Sequence, residues 1–424
     1  MKYTAKTLTD VPTKSRAVNM KLRILTLGLD CDFLSLQREF KEQNIRKYKV
    51  NQIRISDRHF IEPGSKKRNW IPYEIFISDG EHKILVKNYF VSSSPLILTA
   101  QNGSLYIRDK NTEKNLPIII ELVPLYLYAG KKHNGIPLSE YLQIVGQDRV
   151  SIIPFDGCEH WLTGHQCAFC GANPTRLKSL GIKPNVLEIG TSFHGDYEKW
   201  WGYHKKSFYT SFHYALRAFC KEDHWQPHQH LSVISGNLIN LDFLWRRCIE
   251  VSAIVSQYIP LHETDSYFQI MPPKTLSLID DVHRLGFQHL CFNLETYGLR
   301  RFQKVCPGKT KYYGYEHMIQ ALQYGVQIFG KGKVRNNFVL GSGPIEDLLQ
   351  GVKDLARMGV VTDYSVFFPR PGSVWCHRKP PSIEDIHIFT QKLILLYYQY
   401  GYRPYCCELS SRSSVENEYF NGWA

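Results

Sequence analysis

Three cysteines lie close together in the sequence, Cys158, Cys167 and Cys170, and the second and third delimit the pattern Cys-Ala-Phe-Cys. Thiolates are ligands both for iron–sulfur clusters and for zinc. A cubane iron–sulfur cluster is normally held by four cysteines, so a set of three would leave one iron open to bind a small molecule. The residue types and their spacing favour such a cluster without settling the metal.

Two alternatives to a cluster stay open at this point. Zinc would use the three thiolates with His165 or His160 as a fourth ligand, although zinc ribbons usually repeat the cysteine pair and no second pair follows at a suitable spacing. The three thiols would otherwise be unrelated buried side chains. The chain has 11 cysteines without regular disulfide-like spacing, which favours a reducing compartment in which thiolates bind metal.

The elements around the cysteines predict a parallel α/β fold. From about residue 150, short apolar strands alternate with longer helical stretches, as in βα units. The predicted strands are 150–154, 230–235, 267–271, 289–294, 334–340 and 363–368, and the predicted helices are 212–220, 241–257, 276–285, 315–324, 345–358 and 383–398. Six units are too few for a closed eight-stranded barrel, so we expect an open, partial (β/α)6 TIM-type barrel. The cysteines follow its first strand, at the functional face.

We expect three regions along the chain. Residues 1–140 form a β-rich N-terminal domain, since from about residue 20 short runs read as strands separated by turn signals such as Ser78-Asp79-Gly80 and Asn102-Gly103. Residues 141–380 form the partial barrel, and residues 381–424 a C-terminal helix and tail. An insertion at about 176–211, with Trp200 and Trp201, is either part of a lid or an accessory packing element.

The cysteine motif resembles that of the radical S-adenosylmethionine superfamily, in which three cysteines end in Cys-x-aromatic-Cys. The match is Cys167-Ala168-Phe169-Cys170, with Phe169 where the family places an aromatic residue against the adenine. Eight residues, instead of the commonest three, separate the first two cysteines. The resemblance spans roughly residues 120 to 375, and it implies a [4Fe-4S] cluster on the three cysteines with S-adenosylmethionine bound at the open iron.

The resemblance also implies cofactor-binding residues at the later strand ends. Ser235-Gly236-Asn237 stands where the family holds the cofactor's amino group, although the family's glutamate is missing there. Glu295 matches the acidic residue that bonds the ribose hydroxyls, and its alternative is an exposed strand-end charge. Arg335 is the candidate for the methionine carboxylate, with Lys333 as the competing choice. Gly341 would let the backbone approach the adenine, or simply make a turn.

Further segments resemble a subgroup related to biotin synthase and to radical enzymes of nitrilase-associated gene clusters, namely Pro307-Gly308-Lys309, 329–335 and 338–343. The implied activity is reductive cleavage of S-adenosylmethionine to a 5′-deoxyadenosyl radical, which abstracts hydrogen from a small-molecule biosynthetic substrate. Rearrangement, cyclisation, dehydrogenation and carbon–carbon bond formation are the candidate outcomes. The implied electron donor is a flavodoxin or ferredoxin.

Several residues have no motif to assign them. Cys291, Cys306, Cys376, Cys406 and Cys407 form no compact second cluster motif. Candidates to face the barrel interior and meet a substrate are Tyr267, Gln269, Tyr364 and Arg370. The histidines at 224, 228 and 230 would suggest a second metal, but they fit better as a solvated loop that enters a strand.

The charge balance leaves another functional class open. A net charge of +13 favours anionic partners, but the basic residues are scattered and form no long tract. Nucleic acid is therefore disfavoured as a partner, with a zinc-bearing nucleic-acid-binding module and a radical enzyme that modifies tRNA kept as alternatives. No run is long and apolar enough to span a membrane and no signal peptide is evident, so we expect a cytoplasmic protein.

Overall fold

The computed structural model describes residues 14–40, 71–124, 126–155, 157–171, 196–221, 230–370, 372–405, 409 and 412–424. Its N-terminal part is a seven-stranded, mainly antiparallel sheet. The strands are β1 (Asp30–Cys31), β2 (Glu74–Ser78), β3 (Lys83–Lys87), β4 (Leu96–Gln101), β5 (Ser104–Asp109), β6 (Lys114–Asn115) and β7 (Ile119–Leu122). Both expected hairpins are present, and Asn102 and Gly103 adopt the positive φ values (51° and 72°) of a tight hairpin turn.

Two helices in this region were not predicted from the sequence, where only strands were expected from about residue 20. They are α1 (Arg16–Leu27) and α2 (Phe33–Glu39). Each begins at a side chain that accepts a hydrogen bond from a backbone N–H of the first turn: the Ser15 hydroxyl from Val18 and the Asp32 carboxylate from Ser35. These caps and the buried apolar face of α1 outweigh the strand-like composition.

A short hairpin of β8 (Lys132–His133) and β9 (Ile136–Pro137) leads to the second large sheet, an open, curled half-barrel. Its first strand, β10 (Leu142–Val145), is antiparallel to the next. Six parallel strands follow: β11 (Arg149–Ile152), β12 (His230–Ile234), β13 (Asp265–Gln269), β14 (His289–Cys291), β15 (Val334–Leu340) and β16 (Val360–Val366). Each predicted strand overlaps an observed one, so the expected partial barrel is confirmed.

The register of the half-barrel separates an apolar outer face from a more polar inner one. Ile152, Val233 and Phe268 lie side by side across β11, β12 and β13 and are buried. Trp245, on a covering helix, packs on Phe268 with 4.8 Å between ring centroids. Since side chains alternate along a strand, residues such as Gln269 face the inside, where they line a cavity.

Helices cover the outer face and link the strands. They are α3 (Glu159–Leu162), α4 (Tyr197–Lys221), α5 (Leu241–Val255), α6 (Leu278–Arg284), α7 (Leu299–Val305), α8 (Pro307–Tyr312), α9 (Tyr315–Phe329) and α10 (Ile345–Arg357). The predicted helix at 212–220 is only the second half of α4. Trp200 and Trp201 belong to its first half and pack on Phe155 below the cysteine loop, whereas residues 176–195 of the predicted insertion lie outside the described residues.

The C-terminal part consists of α11 (Ile383–Tyr400) and α12 (Glu416–Phe420). Lys21 of α1 and Glu418 of α12 form an ion pair whose side chains are 3% and 6% exposed, so the two ends of the described chain pack together. The boundaries at 140 and 380 stay a prediction. None of the described helices is both long and apolar enough to span a bilayer.

Candidate cofactor site

The three motif cysteines line one cavity of about 450 Å³ at the C-terminal ends of the parallel strands. Cys158 begins α3 in the loop after β11, and Cys167 and Cys170 come from the end of the same loop. The opposite walls are the ends of β12, β13 and β14 and the residues that follow them. The loop therefore presents three thiols to one open cavity at the functional face of the half-barrel.

Backbone hydrogen bonds fix the loop from both sides. The N–H of Ala168 donates to the carbonyl of Val305 at 2.8 Å, and the N–H of Trp375 donates to the carbonyl of Ala168 at 2.9 Å. The N–H of Gly308 donates to the carbonyl of His165 at 2.8 Å. Cys167 and Cys170 are thus held between α7 and the chain after β16, which pre-organises them for a ligand.

The segment Ser235-Gly236-Asn237 supports the other end of the loop. The Ser235 hydroxyl donates to the Phe155 carbonyl at 3.1 Å, and the Glu159 N–H donates to the Asn237 carbonyl at 2.8 Å. Gly236 packs so tightly that a Cβ there would lie 1.3 Å from the Gly157 carbonyl oxygen. Only glycine allows this approach of the two backbones, so Gly236 sets the position of Cys158 while all three residues of the segment also line the cavity.

The donor set fits an iron–sulfur cluster. Burial, together with the nearby thiols of Cys170 and Cys167, raises the pKa of the Cys158 thiol to about 12. A hydrogen bond with Cys306, followed by burial, raises the pKa of Cys167. Bound iron would replace the protons of these thiols and keep them deprotonated. These high pKa values describe the thiols without a metal. Deprotonating them costs free energy, which the binding of iron would offset.

No ready-made site for a single metal ion is found among the described residues. In the described part of the chain, no three His, Cys, Asp or Glu side chains are placed to share one metal ion. A cubane cluster has a different requirement, because each sulfur binds a different iron. His160 is 1% exposed, stacks on Tyr312 at 5.5 Å between ring centroids, and burial lowers its pKa to about 4. His165 lies beside Lys311, with 3.3 Å between Nε2 and Nζ.

Glu295 lies on the wall of the thiol cavity and is not an exposed strand-end charge. Its side chain is 13% exposed and accepts a hydrogen bond from Lys309 Nζ at 2.8 Å. Lys309 also donates to the Asn293 carbonyl at 2.7 Å. Burial alone would lower the pKa of Lys309, but the Glu295 carboxylate together with the thiols of Cys306 and Cys167 outweighs burial, and the pKa lies above its usual range. The lysine therefore holds the carboxylate in place as a charged partner.

The backbone of Glu295 is itself unusual, since its φ of 68° lies in the left-handed region that non-glycine residues rarely adopt. Hydrogen bonds on both sides impose it: the Glu295 N–H donates to the Asn337 carbonyl at 3.0 Å, and the Val339 N–H donates to the Glu295 carbonyl at 2.8 Å. Such strain is typical of residues that are aimed at a site.

Phe169 borders both the thiol cavity and a smaller cavity of about 180 Å³, which Glu295 also lines. Its ring packs on Trp375 with 6.4 Å between centroids. The smaller cavity is completed by Val339, Phe367 and Arg370, together with Tyr89 from the N-terminal region. A flat apolar group could enter between these rings, next to the Glu295 carboxylate.

Arg335 and Gly341 lie away from the thiols. The Arg335 guanidinium is buried and makes two hydrogen bonds to Asp363, at 2.7 and 2.5 Å, on the wall of a third cavity of about 240 Å³. Its competitor Lys333 is exposed. Gly341 has a φ of 102° and packs against Pro381 and Phe367. The roles of Arg335 and Gly341 toward the cofactor stay predictions.

Of the residues expected to face the barrel interior, some line a cavity and others do not. Gln269 lines both the thiol cavity and the third cavity, and Arg370 lines the smaller one. Tyr267 stacks between His289 and Tyr405. Tyr364 was wrongly expected to face the interior: its hydroxyl lies 2.6 Å from that of Thr390 on α11, because its position on β16 alternates outward. The positions 224, 228, 406 and 407 lie outside the described residues.

No role was predicted from the sequence for Lys309, Cys306 or Arg149. Pro307 at the first position of α8 places Lys309 in the first helical turn, and this signal was available in the sequence. Cys306, just before it, is fully buried and contacts Cys167. Arg149 begins β11 and lines both the thiol cavity and the third cavity, and only the strand register reveals that direction.

No family model matches the sequence. Bacteriochlorophyllide c C-7(1)-hydroxylase from Chlorobaculum limnaeum is 28% identical over 282 residues, which cover 64% of this chain and 65% of that protein. The chain thus matches slightly less than two thirds of the length of this relative.

Solved structures that are similar in part share little sequence with the chain. Coproporphyrinogen III oxidase from Escherichia coli is 12% identical with a TM-score of 0.39, over 65% of this chain and 57% of that one. Methylornithine synthase is 12% identical with a TM-score of 0.40, over 66% and 79%. A radical SAM methyltransferase from Sphaerobacter thermophilus is 14% identical with a TM-score of 0.37, over 76% and 82%.

Proposed function

We propose that the chain is an enzyme of the radical S-adenosylmethionine superfamily, which binds a [4Fe-4S] cluster and S-adenosylmethionine and cleaves S-adenosylmethionine reductively. The observation that carries the proposal is the set of three thiols from one loop on the wall of one cavity, opposite Ser235-Gly236-Asn237 and Glu295. When bound, the cluster would supply the electron that breaks a carbon–sulfur bond of the cofactor and yields a 5′-deoxyadenosyl radical.

The residues of the chain have distinct tasks in this proposal. Cys158, Cys167 and Cys170 would hold three irons and leave one open. The Glu295 carboxylate would accept hydrogen bonds from the ribose hydroxyls, with Lys309 fixing its direction. Phe169 would pack against the adenine.

The surroundings of the thiols support the same chemistry. The loop is fixed by the backbone bonds of Ala168 and Gly308, so little reorganisation would accompany cofactor binding. Gly236 lies against the Gly157 backbone behind Cys158 without room for a side chain.

A small molecule is the proposed second substrate, because the third cavity, of about 240 Å³, adjoins the thiol cavity inside the half-barrel. The radical would abstract hydrogen from it in a biosynthetic reaction, by rearrangement, cyclisation, dehydrogenation or carbon–carbon bond formation. Hydroxylation is a further candidate reaction, because the relative from Chlorobaculum limnaeum is named a hydroxylase. A flavodoxin or ferredoxin in the cytoplasm would supply the electrons. Action on tRNA stays a prediction from the sequence.

Spectroscopy of the protein reconstituted with iron and sulfide under anaerobic conditions tests the proposal. The reduced cluster should give an electron paramagnetic resonance signal that changes when S-adenosylmethionine is added, because the cofactor binds the open iron. Cys170→Ala should lose the cluster, whereas Cys220→Ala, which removes a half-buried thiol on α4, should keep it. A wild-type cluster whose signal ignores S-adenosylmethionine would overturn the proposal.

A further inference from the structure

The third cavity, which we call the polar cavity, lies beside the thiol cavity and shares four wall residues with it, Arg149, Gln269, Cys291 and Asn293. Its own walls carry two more arginines, Arg335 and Arg412. Three arginines surround a space of about 240 Å³. The charge of a ligand that fits this cavity therefore depends on how many of these arginines are already paired with carboxylates of the protein.

Two of the three cations have carboxylate partners within the protein. Arg335 makes two hydrogen bonds to Asp363. Arg412 pairs with Glu416 of α12, whose side chain is 1% exposed. The Arg335–Asp363 pair is neutral as a unit. Burial raises the pKa of Glu416, so the Arg412–Glu416 pair is neutral only at a pH high enough to keep Glu416 ionised. Under that condition both pairs contribute polarity to the cavity and little net charge.

Arg149 is the cation that remains. Its Nε is buried without a partner, and among the described residues its guanidinium makes no hydrogen bond or ion pair. The adjacent Asp148 uses one carboxylate oxygen to accept a hydrogen bond from the Leu409 N–H at 2.9 Å. Asp148 interacts with Arg149 through its charge but makes no hydrogen bond to it. A guanidinium that is partly withdrawn from water and has no hydrogen-bonded anion is costly, and a bound anion would offset this cost.

Neutral donors stand beside this cation. The side-chain amides of Gln269 and Asn293 make no hydrogen bond to any described residue, and both border the two cavities. Asn337, by contrast, is occupied, because its side chain bonds Ser365 and the Phe338 carbonyl. One free guanidinium with two free amides can satisfy a monoanion, whereas a dianionic phosphate would leave one charge without a partner.

We propose that the polar cavity binds an organic carboxylate, with Arg149 as the bidentate partner of the carboxylate and Gln269 and Asn293 as additional donors. The inference rests on the proposed function and specifies its substrate class: a small carboxylic acid, whose carboxylate lies at the Arg149 end and whose body reaches toward the thiol cavity. A guanidinium suits this task because its paired N–H groups match the geometry of a carboxylate.

The test uses cluster-loaded protein with S-adenosylmethionine and without reductant, so that binding is measured without turnover. Equilibrium dialysis with radiolabelled benzoate, and in parallel with the neutral isostere benzamide, gives the two affinities. The variants are Arg149→Gln and Arg149→Lys. Arg357→Gln is the control, because Arg357 is an exposed cation of α10. Circular dichroism and iron content establish that each variant is folded and loaded.

We expect wild type to bind benzoate more tightly than benzamide, Arg149→Gln to weaken benzoate by about tenfold or more without weakening benzamide, and Arg149→Lys to retain part of the difference. Arg357→Gln should behave as wild type. Equal binding of benzoate by wild type and Arg149→Gln, or no benzoate binding by loaded wild type, would overturn the inference. Failure of the proposed function is separate, since it would show as wild type whose cluster does not respond to S-adenosylmethionine.

If Arg149→Gln does not fold, the affinities of wild type and of Arg149→Lys for benzoate and for benzamide still test the inference. Wild type that binds the two molecules equally contradicts a cationic carboxylate site, whatever the variant does.

Discussion

Glu295 and Lys309 form an ion pair of 2.8 Å at the wall of the thiol cavity, with side chains that are 13% and 8% exposed. The carboxylate comes from the chain after β14 and the ammonium from the first turn of α8, three residues beyond the buried Cys306. The pair therefore links helix α8, which holds the cysteine loop, to Glu295, the residue proposed to bind the ribose.

Replacing Glu295 by Gln should weaken binding of S-adenosylmethionine. The carboxylate accepts both proposed ribose hydrogen bonds, and a hydrogen bond to a charged group contributes about 1.5–3 kcal/mol, so the dissociation constant should rise by about tenfold or more. Equilibrium dialysis with labelled S-adenosylmethionine on cluster-loaded protein measures it. Glu346→Gln, at an exposed position of α10, is the control. An unchanged dissociation constant in the Glu295 variant would remove this residue from the cofactor site.

Replacing Lys309 by Met should destabilise the fold, because it leaves the Glu295 carboxylate buried without its partner. Loss of one member of a buried pair costs about 3–5 kcal/mol. The double variant with Glu295→Gln removes the unpaired charge and should recover part of the loss. Denaturant unfolding of the four proteins of this cycle gives the free energies. Strict additivity of the two single changes would show that the ion pair contributes nothing.

Replacing Gly236 by Ala should displace the loop that carries Cys158. The added Cβ would lie 1.3 Å from the Gly157 carbonyl oxygen, a backbone atom that cannot rotate away. We expect iron incorporation after reconstitution to fall severalfold even where the protein folds. Gly202→Ala on α4 is the matched control, because nothing lies within 4 Å of its new Cβ. Normal iron content in the Gly236 variant would mean that this close approach does not position the loop.

Cys306 should tune the cluster without binding it. It is fully buried beside Cys167 and interacts with that thiol. In the metal-free protein this contact raises the pKa of Cys167, so the Cys167 thiol is the donor; once iron has replaced that proton, the Cys306 S–H would donate to the ligand sulfur. Removing a hydrogen-bond donor to a ligand sulfur lowers the reduction potential of a cluster. Cys306→Ala should therefore load iron normally and titrate at a more negative potential, as measured by redox titration with paramagnetic resonance detection. A folded variant that cannot load the cluster would instead identify Cys306 as a ligand.

The His289–Asp265 contact gives a prediction for pH. Burial lowers the pKa of His289 from its usual 6.5, although the Asp265 carboxylate, 2.9 Å from Nε2, opposes the shift. Below pH 6.5 the unfolded chain binds a proton that the folded chain does not, so the free energy of unfolding falls as pH drops through this window.

His289→Gln tests this prediction, because the amide can still donate to Asp265 but does not titrate. Its stability should fall less on acidification from about pH 7.5 to about pH 5.5 than that of wild type, by on the order of 1 kcal/mol. His262→Gln, at a side chain that is 70% exposed, should keep the wild-type dependence. Parallel profiles of His289→Gln and wild type would exclude His289 as the cause.

The strongly periodic segments could be predicted from sequence, and the directions of polar side chains could not. The strand at 334–340 and the helix that begins at Ile345 were predicted at their observed starts, because an apolar run and an amphipathic pattern follow each other directly. The first half of α4 was missed, because its Trp, His and Lys residues obscure the period. The pairing of Arg335 with Asp363 depends on the register of two strands, which no local pattern encodes.

Release of 5′-deoxyadenosine from S-adenosylmethionine is the most direct test of the central claim. Reconstituted wild type should release it under anaerobic conditions with dithionite, and Cys220→Ala should do so as well. Cys170→Ala, which lacks one of the three thiols on the cavity wall, should release none. Wild type that carries its full iron content and releases no 5′-deoxyadenosine would contradict the account.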